Sequence, residues 1–240
     1  MGILLHIITM NREFDVIIIG GGATGAGVAR DCALRGIKAL LIERHDIATG
    51  ATGRNHGLLH SGARYAVNDR ESAEECIREN MILRRIASHC VEDTGGIFIS
   101  LPEDGLDFQK RFIDSCLAAG ISAEAIDPKE ALLLEPSVNP ALIGAVKVPD
   151  GSVDPFRLTA ANIMDARLHG AQVLTYTRVD ELIIDNGRVV GVVATDTITG
   201  EKSEYRAQIT VNACGIWGRD LAAKAGVTIN MLPAKGALLV

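Results

Sequence analysis

No basic run stands out in this sequence of 240 residues, where 24 Lys and Arg face 30 Asp and Glu for a net charge of −6. An electrostatic footprint for nucleic acid is therefore missing. No CxxC pair occurs. The five cysteines (Cys32, Cys76, Cys90, Cys116, Cys214) are odd in number and far apart. They give no disulfide or metal framework and fit reduced thiols in a reducing compartment. No run approaches the ~18 apolar residues needed to cross a bilayer. The opening MGILLHIITM has no basic n-region, is broken by His6 and leads to no small-residue cleavage site, so it is not read as a targeting segment. Repeats and low-complexity tracts are absent too. What remains, 48% hydrophobic and 22% charged, is a soluble globular composition with material for a sizeable core. The length suits one large domain or two small ones.

Met10 reads as the start of the ordered protein, because MNREFDVIIIGGG runs straight into a strand, and residues 1–9 are expected to be disordered or loosely packed. The β-branched run at 16–19 marks a strand buried on both faces. Three glycines break it, residues 23–35 read as a helix ended by Gly36, and residues 37–42 form a second buried strand ending on Glu43. That is one βαβ unit. Further on, helical spacing covers 70–89 and 106–119, with a strand over 96–101 between them. Prolines at 128, 136, 140 and 149 cut the next stretch into short pieces. Asp154-Pro155 opens a helix through Leu168, with Pro in its first turn and Gly170 at its end. Strands follow at 173–177, 179–184 and 188–195, the last two joined by the hairpin signal Asp185-Asn186-Gly187. A buried strand at 207–213 and a helix at 216–225 follow. One βαβ unit, a long excursion and a return to an apolar strand suit an α/β sheet interrupted by a second domain.

Gly20, Gly22 and Gly25 form GxGxxG, with Gly21, Ala23 and Thr24 between them. The first glycine permits a tight turn, the second lets backbone approach a pyrophosphate, and the third lets helix and strand pack closely. Phosphates would sit on the free N–H groups at the helix start. Glu43 lies 43 − 25 = 18 residues past the last glycine, near the ~20 expected of a carboxylate on ribose hydroxyls. A carboxylate there disfavours a 2′-phosphate and hence NADP. FAD and NAD both fit this motif alone. In VNACGIWG, residues 211–218, an apolar strand turns through small residues into a helix and could approach the same dinucleotide from its other side.

DVIIIGGGATGAGVARDCALRG, ERHDIATGATGRNHGLLHSGARYA, VPDGSVDPFRLTAAN, VNACGIWG and PAKGALLV together resemble the FAD-dependent glycerol-3-phosphate dehydrogenases of the D-amino-acid-oxidase-like superfamily. The likeness runs from about Phe14 to the last residue and is nearest the N-terminal part of the large catalytic subunits of the anaerobic enzymes. It implies an FAD-binding Rossmann-like sheet of the glutathione-reductase type, interrupted by a substrate domain and incomplete at the C-terminus. The implied division is an N-terminal extension (1–13), the FAD-binding domain in two parts (14–100 and 151–225) around the start of a substrate domain (101–150), and a return to the substrate domain (226–240). A chain ending inside an apolar strand, 235–240, is expected to be a fragment, inactive by itself.

The resemblance places Thr52, Gly53, His56, Gly57 and Leu58 along the pyrophosphate and isoalloxazine of FAD. It places Val179 at adenine, and Ala213, Gly215 and Trp217 at the second phosphate approach, with Arg44 beside the ribose glutamate. His60, Arg64 and Tyr65 fall on the substrate side. The likeness departs at Gly53-Arg54-Asn55, where aerobic relatives carry hydroxyl residues. The implied activity is oxidation of glycerol 3-phosphate to dihydroxyacetone phosphate. Arginine offers a planar fork to the phosphate and His60 a titratable base near neutrality. Electrons would pass to quinone through partner subunits at the inner face of the membrane, the chain itself being cytoplasmic.

His56 and His60 have the i, i+4 spacing of a helical metal pair, but no HExxH glutamate or neighbouring ligand set accompanies them, so no metal is expected. His45 and His89 read as surface or helix-end residues and Arg54 as a loop cation. Two other readings stay open: a flavin oxidase of 2-hydroxy acids such as L-2-hydroxyglutarate, in which Arg64 binds carboxylate, and a non-catalytic flavin-binding subunit.

Overall fold

A computed structural model describes residues 12–234 and 236–237. The expectations for residues 1–9 and for the closing strand at 235 and 238–240 lie outside them. The chain packs as two compact units, one built from the residues up to Asn55 and from Pro155 onward, the other from His56–Asp154.

In the first unit, β1 (Glu13–Ile19) leads into α1 (Ala23–Leu34) and β2 (Ala39–Ile42). The second unit then holds β3 (Leu58–Leu59), α2 (Arg70–Ile86), β4 (Val91–Glu92), β5 (Gly96–Ser100) and α3 (Asp107–Ala118). It continues through β6 (Glu124–Ile126), α4 (Pro128–Leu134), β7 (Gly144–Val148) and β8 (Gly151–Val153). The chain returns to the first unit with α5 (Pro155–Leu168), β9 (Gln172–Leu174), β10 (Thr177–Asp185), β11 (Arg188–Asp196), β12 (Lys202–Asn212) and α6 (Gly218–Lys224).

The first unit is built on a six-stranded sheet in the order β10-β11-β12-β1-β2-β9. The four strands from β12 to β9 run parallel, while β10 and β11 form an antiparallel hairpin on one side. β1 and β2 sit in the middle with both faces covered, which is why they read as unbroken apolar runs; Ile17, Ile18, Leu40 and Leu41 are fully buried. Burying each such side chain contributes roughly 1.5–3 kcal/mol. The half-exposed Arg30–Asp165 ion pair between α1 and α5 adds ~1 kcal/mol at most. The sheet core, not that pair, therefore fixes the helices. α1 presents Gly25, Ala26, Ala29 and Ala33 inward, small enough for close packing against Ile163 and Ala166 of α5.

The hairpin turn has Asn186 at φ +49 and Gly187 at φ +77, the left-handed pair that a two-residue turn between twisted strands requires. Elsewhere the sequence reading needs correction. The strand expected over 173–177 stops at Leu174, because Tyr176 takes φ +53 and redirects the chain into β10. The strand expected at 207–213 begins earlier, at Lys202, and is not buried throughout, Ile209 being 58% exposed. The last helix starts only after a 3-10 turn at Gly215–Trp217.

The second unit contains two small sheets, β3-β8-β4 and β5-β7-β6. Phe112, Cys116, Ile121, Val146 and Val148 fill the core beneath α3. Residues 56–100 thus pack with 101–154, whereas the sequence division ran the first part of the FAD-binding domain on to residue 100.

Candidate functional site

The first unit carries a cleft of ≈ 770 Å³ at the carboxyl ends of β1, β2 and β12. In parallel α/β sheets this is where ligands bind. β1 turns into α1 through Gly20, at φ +115, where a Cβ would stand 2.4 Å from the carbonyl oxygen of Ala213. A Cβ on Gly25 would stand 1.9 Å from the carbonyl oxygen of Gly20. Both positions accept glycine alone. Gly22 caps α1 without a side-chain hydrogen bond, and no acidic residue occupies the first turn. The partial positive charge of the helix start is therefore left for an anion.

Around this cradle the polar groups are held in place. Glu43 follows β2; its Oε2 accepts from the backbone N–H of Gly21 at 2.7 Å and its Oε1 from that of His45 at 2.9 Å. The carboxylate is thus fixed at the cleft wall with acceptor capacity to spare on both oxygens. The Thr52 hydroxyl accepts from the N–H of Ala23 at 3.0 Å. The Arg44 guanidinium lies over the Trp217 ring, 4.2 Å from its centroid. Beyond β12, the Asn212 side chain donates to the carbonyl of Gly218 and accepts from the N–H of Cys214. The Cys214 thiol donates to the carbonyl of Ile19 at 3.3 Å, and burial pushes it up to about 11.

The second unit gathers another polar cluster. β3 and β8 pair antiparallel with Leu59 opposite Gly151, so His60 and Asp150 are the next residues in that register. Nδ1 of His60 lies 3.3 Å from Oδ2 of Asp150. Oδ1 of Asp150 accepts from the Ser61 N–H at 2.7 Å and from the Ser61 hydroxyl at 2.6 Å. From α2, Asn80 donates to the Leu59 carbonyl. Arg84 bonds Asn80 through Nε and the carbonyls of Pro149 and Asp150 through Nη2. Arg64 and Tyr65 follow on a 3-10 turn at Ala63–Tyr65, the guanidinium 5.3 Å from the Tyr65 ring centroid.

Of the residues singled out in the sequence, Gly20, Gly22, Ala23, Thr24, Glu43, Arg44, Thr52, Val179, Ala213, Gly215 and Trp217 line the cleft. Gly25 is buried where α1 meets the turn after β1, and Gly53 packs against Phe156 and the Ala48 carbonyl. His56, Gly57, Leu58, His60, Arg64 and Tyr65 belong to the second unit. His45, expected at the surface, and Arg54, expected as a loop cation, both line the cleft, as do Arg178 and Lys224. Residues 56–60 form no helix, so the i, i+4 spacing of His56 and His60 loses its meaning. Among the described residues no group of three or more His, Cys, Asp or Glu could hold a metal ion. No motif in the sequence singles out Ser61, Asn80, Arg84 or Asp150. The available signal was Pro149-Asp150-Gly151, which reads as a turn until its pairing with residues 58–60 is known.

The chain is 66% identical over 230 residues to the A subunit of the anaerobic glycerol-3-phosphate dehydrogenase of Escherichia coli K12, covering 96% of this chain and 42% of that one. It spans about two fifths of the length of that relative. Among solved structures, the L-proline dehydrogenase of P. horikoshii superposes with a TM-score of 0.80 at 27% identity, over 92% of this chain and 58% of that one. The glycerol-3-phosphate dehydrogenase of Bacillus halodurans, solved with FAD, does so with a TM-score of 0.68 at 28% identity, over 90% and 37%. Since the sequence model of the FAD dependent oxidoreductase family (DAO) matches residues 15–240, the chain belongs to that family.

Proposed function

We propose that this chain binds FAD in the cleft of its first unit and takes part in oxidising glycerol 3-phosphate to dihydroxyacetone phosphate. The observation that carries the cofactor is the cradle at Gly20, Gly22 and Gly25: Gly20 and Gly25 have no room for a Cβ against the carbonyls of Ala213 and Gly20, so the turn keeps its tight form, and the start of α1 offers a pyrophosphate N–H groups. Glu43 would accept hydrogen bonds from the adenosine ribose. Thr52, Gly53, Val179, Ala213, Gly215 and Trp217, with Arg44, would hold the rest of the dinucleotide on the first unit. FAD, when bound, supplies the acceptor for the substrate hydride.

The 66% identity to the E. coli protein favours glycerol 3-phosphate as substrate. His60 would take the proton of its hydroxyl. Arg64 would hold the phosphate with a planar pair of N–H donors, with Tyr65 beside it. Electrons would leave for quinone through partner subunits, since the relative is itself named as one subunit of its enzyme. These would bring the chain to the inner face of the membrane; no helix among the described residues is long and apolar enough to cross it.

Anaerobic mixing of glycerol 3-phosphate with the FAD-loaded complete enzyme that contains this chain tests the reading, the chain itself spanning about two fifths of its E. coli relative. Bleaching of the flavin absorbance is expected. Bleaching by L-2-hydroxyglutarate instead would transfer the assignment to a 2-hydroxy acid enzyme, and none with either substrate would leave a flavin-binding subunit.

A further inference from the structure

We infer that Asp150 is the positioning residue for His60, fixing the imidazole in the tautomer that leaves Nε2 free to accept the substrate proton. This rests on the reading of His60 as the base in the oxidation proposed above.

The two oxygens of Asp150 have different tasks. Oδ1 is taken by Ser61, through both its N–H and its hydroxyl, and anchors the backbone just past His60. Oδ2 faces Nδ1 of His60 at 3.3 Å. An ionised carboxylate only accepts hydrogen bonds, so the proton of a neutral His60 belongs on Nδ1, and Nε2 carries the lone pair. The carboxylate is mostly buried, its side chain 13% exposed against 38% for His60. The carboxylate is thus sheltered while the ring keeps access to a substrate.

The surroundings hold both partners. Ser61 and Asn80 are fully buried. The Asn80–Arg84 pair ties the Leu59 carbonyl on one side to the carbonyls of Pro149 and Asp150 on the other. The segments carrying His60 and Asp150 are therefore braced against the same helix. Gly96 completes the seat: a Cβ there would come within 2.8 Å of the Asp150 Cβ and 3.2 Å of its Oδ2. A side chain at 96 would push the carboxylate from its place. A structural anchor alone would account for Oδ1; it does not account for the second oxygen turned to a ring nitrogen.

FAD, when bound, would supply the acceptor for the hydride of the substrate C–H bond. The hydroxyl proton would pass to Nε2 of His60 as the carbon–oxygen bond becomes a carbonyl. Asp150 would take no proton and would stabilise the imidazolium formed.

Two measurements on the FAD-loaded complete enzyme that contains this chain test this. Long-range proton–nitrogen correlation spectra of the ¹⁵N-histidine-labelled protein, with His60→Gln assigning the signal, should show neutral His60 protonated on Nδ1. A ring protonated on Nε2 would overturn the proposal, and this reading needs neither an Asp150 variant nor turnover. In stopped flow, Asp150→Asn should slow flavin reduction by glycerol 3-phosphate at least about tenfold, with KM within about threefold. In the His60→Gln background it should cost nothing further, general-base catalysis being worth ~10²–10⁴-fold only once. An equal additional loss in that background would mark Asp150 as purely structural and overturn the proposal. If the unsubstituted protein shows the Nδ1 tautomer but glycerol 3-phosphate leaves its flavin oxidised, the substrate assignment fails while the pairing of His60 with Asp150 stands.

Discussion

Arg44 and Trp217 meet at the cleft of the first unit, the guanidinium over the ring and 4.2 Å from its centroid. They come from different strands of the sheet, Arg44 just past β2 and Trp217 just past β12. Trp217 is the sole tryptophan, so its emission reports on this wall alone. FAD binding should quench it. A cation over an aromatic ring is worth ~0.5–2 kcal/mol, so Arg44→Ala should weaken FAD binding roughly two- to thirtyfold in a fluorescence titration. Unchanged affinity would show that the pair closes on itself and contributes nothing to the ligand.

Glu43→Gln separates the fold from the ligand. Glutamine keeps one acceptor oxygen for the Gly21 N–H, so the turn should survive and thermal unfolding should move little. A hydrogen bond to a charged group is worth ~1.5–3 kcal/mol. FAD affinity should therefore fall roughly ten- to hundredfold, read by equilibrium dialysis. A variant that keeps wild-type affinity would remove Glu43 from the ribose.

Gly25→Ala tests the cradle itself. The added methyl would meet the Gly20 carbonyl oxygen at 1.9 Å, and that oxygen is backbone, with no flexible side chain to yield. Overpacking of this kind costs typically 1–3 kcal/mol, occasionally more. A melting temperature several degrees lower, together with loss of FAD, is expected. Gly27, where an added Cβ would meet nothing within 4 Å, is the control: alanine there should be tolerated.

Much of the first unit was legible because its signals are local. The unbroken apolar runs of β1 and β2, the glycines between them and Asp185-Asn186-Gly187 each dictate backbone conformation over a few residues. Glu43 could be found by counting from Gly25. The second unit was harder. β3, β4 and β8 are two or three residues long, too short for any periodicity, and they exist only because residues far apart in sequence pair. Asp150 illustrates this: it is 90 residues from His60, and only the register of β3 on β8 makes them neighbours. Arg178 and Lys224 reach the cleft in the same non-local way, through the placement of β10 and α6.

The raised thiol of Cys214 makes a prediction about pH. Burial pushes it up to about 11 from the ordinary thiol value of 9.0, and the thiolate is the nucleophile. Under native conditions at pH 8, iodoacetamide should label Cys214 far more slowly than a free cysteine, with labelling rising only as pH climbs towards 11. The sign for stability follows from the same shift. A folded value above the unfolded one means the contribution is fully present below pH 9 and is lost as pH rises through the folded value. Peptide-resolved mass spectrometry reads the labelling; rapid modification at pH 8 would show that the turn after β12 opens freely.

Arg64→Lys addresses the substrate. Arg64 sits on an exposed turn with its guanidinium against the Tyr65 ring, an arrangement that uses a flat group. Lysine keeps the charge but presents a single point donor where phosphate oxygens are best met by a fork. Arg64 is not among the residues lining the dinucleotide cleft, so FAD content should be unchanged, and that separates a substrate role from a cofactor role. Losing one charged hydrogen bond of ~1.5–3 kcal/mol predicts a fall in kcat/KM for glycerol 3-phosphate of roughly ten- to hundredfold, carried mainly by KM if phosphate binding is equal in ground and transition states. Steady-state kinetics of the complete enzyme with an artificial electron acceptor measures it. Wild-type kcat/KM in this variant would exclude Arg64 from phosphate recognition and leave the cation to be sought elsewhere in the protein.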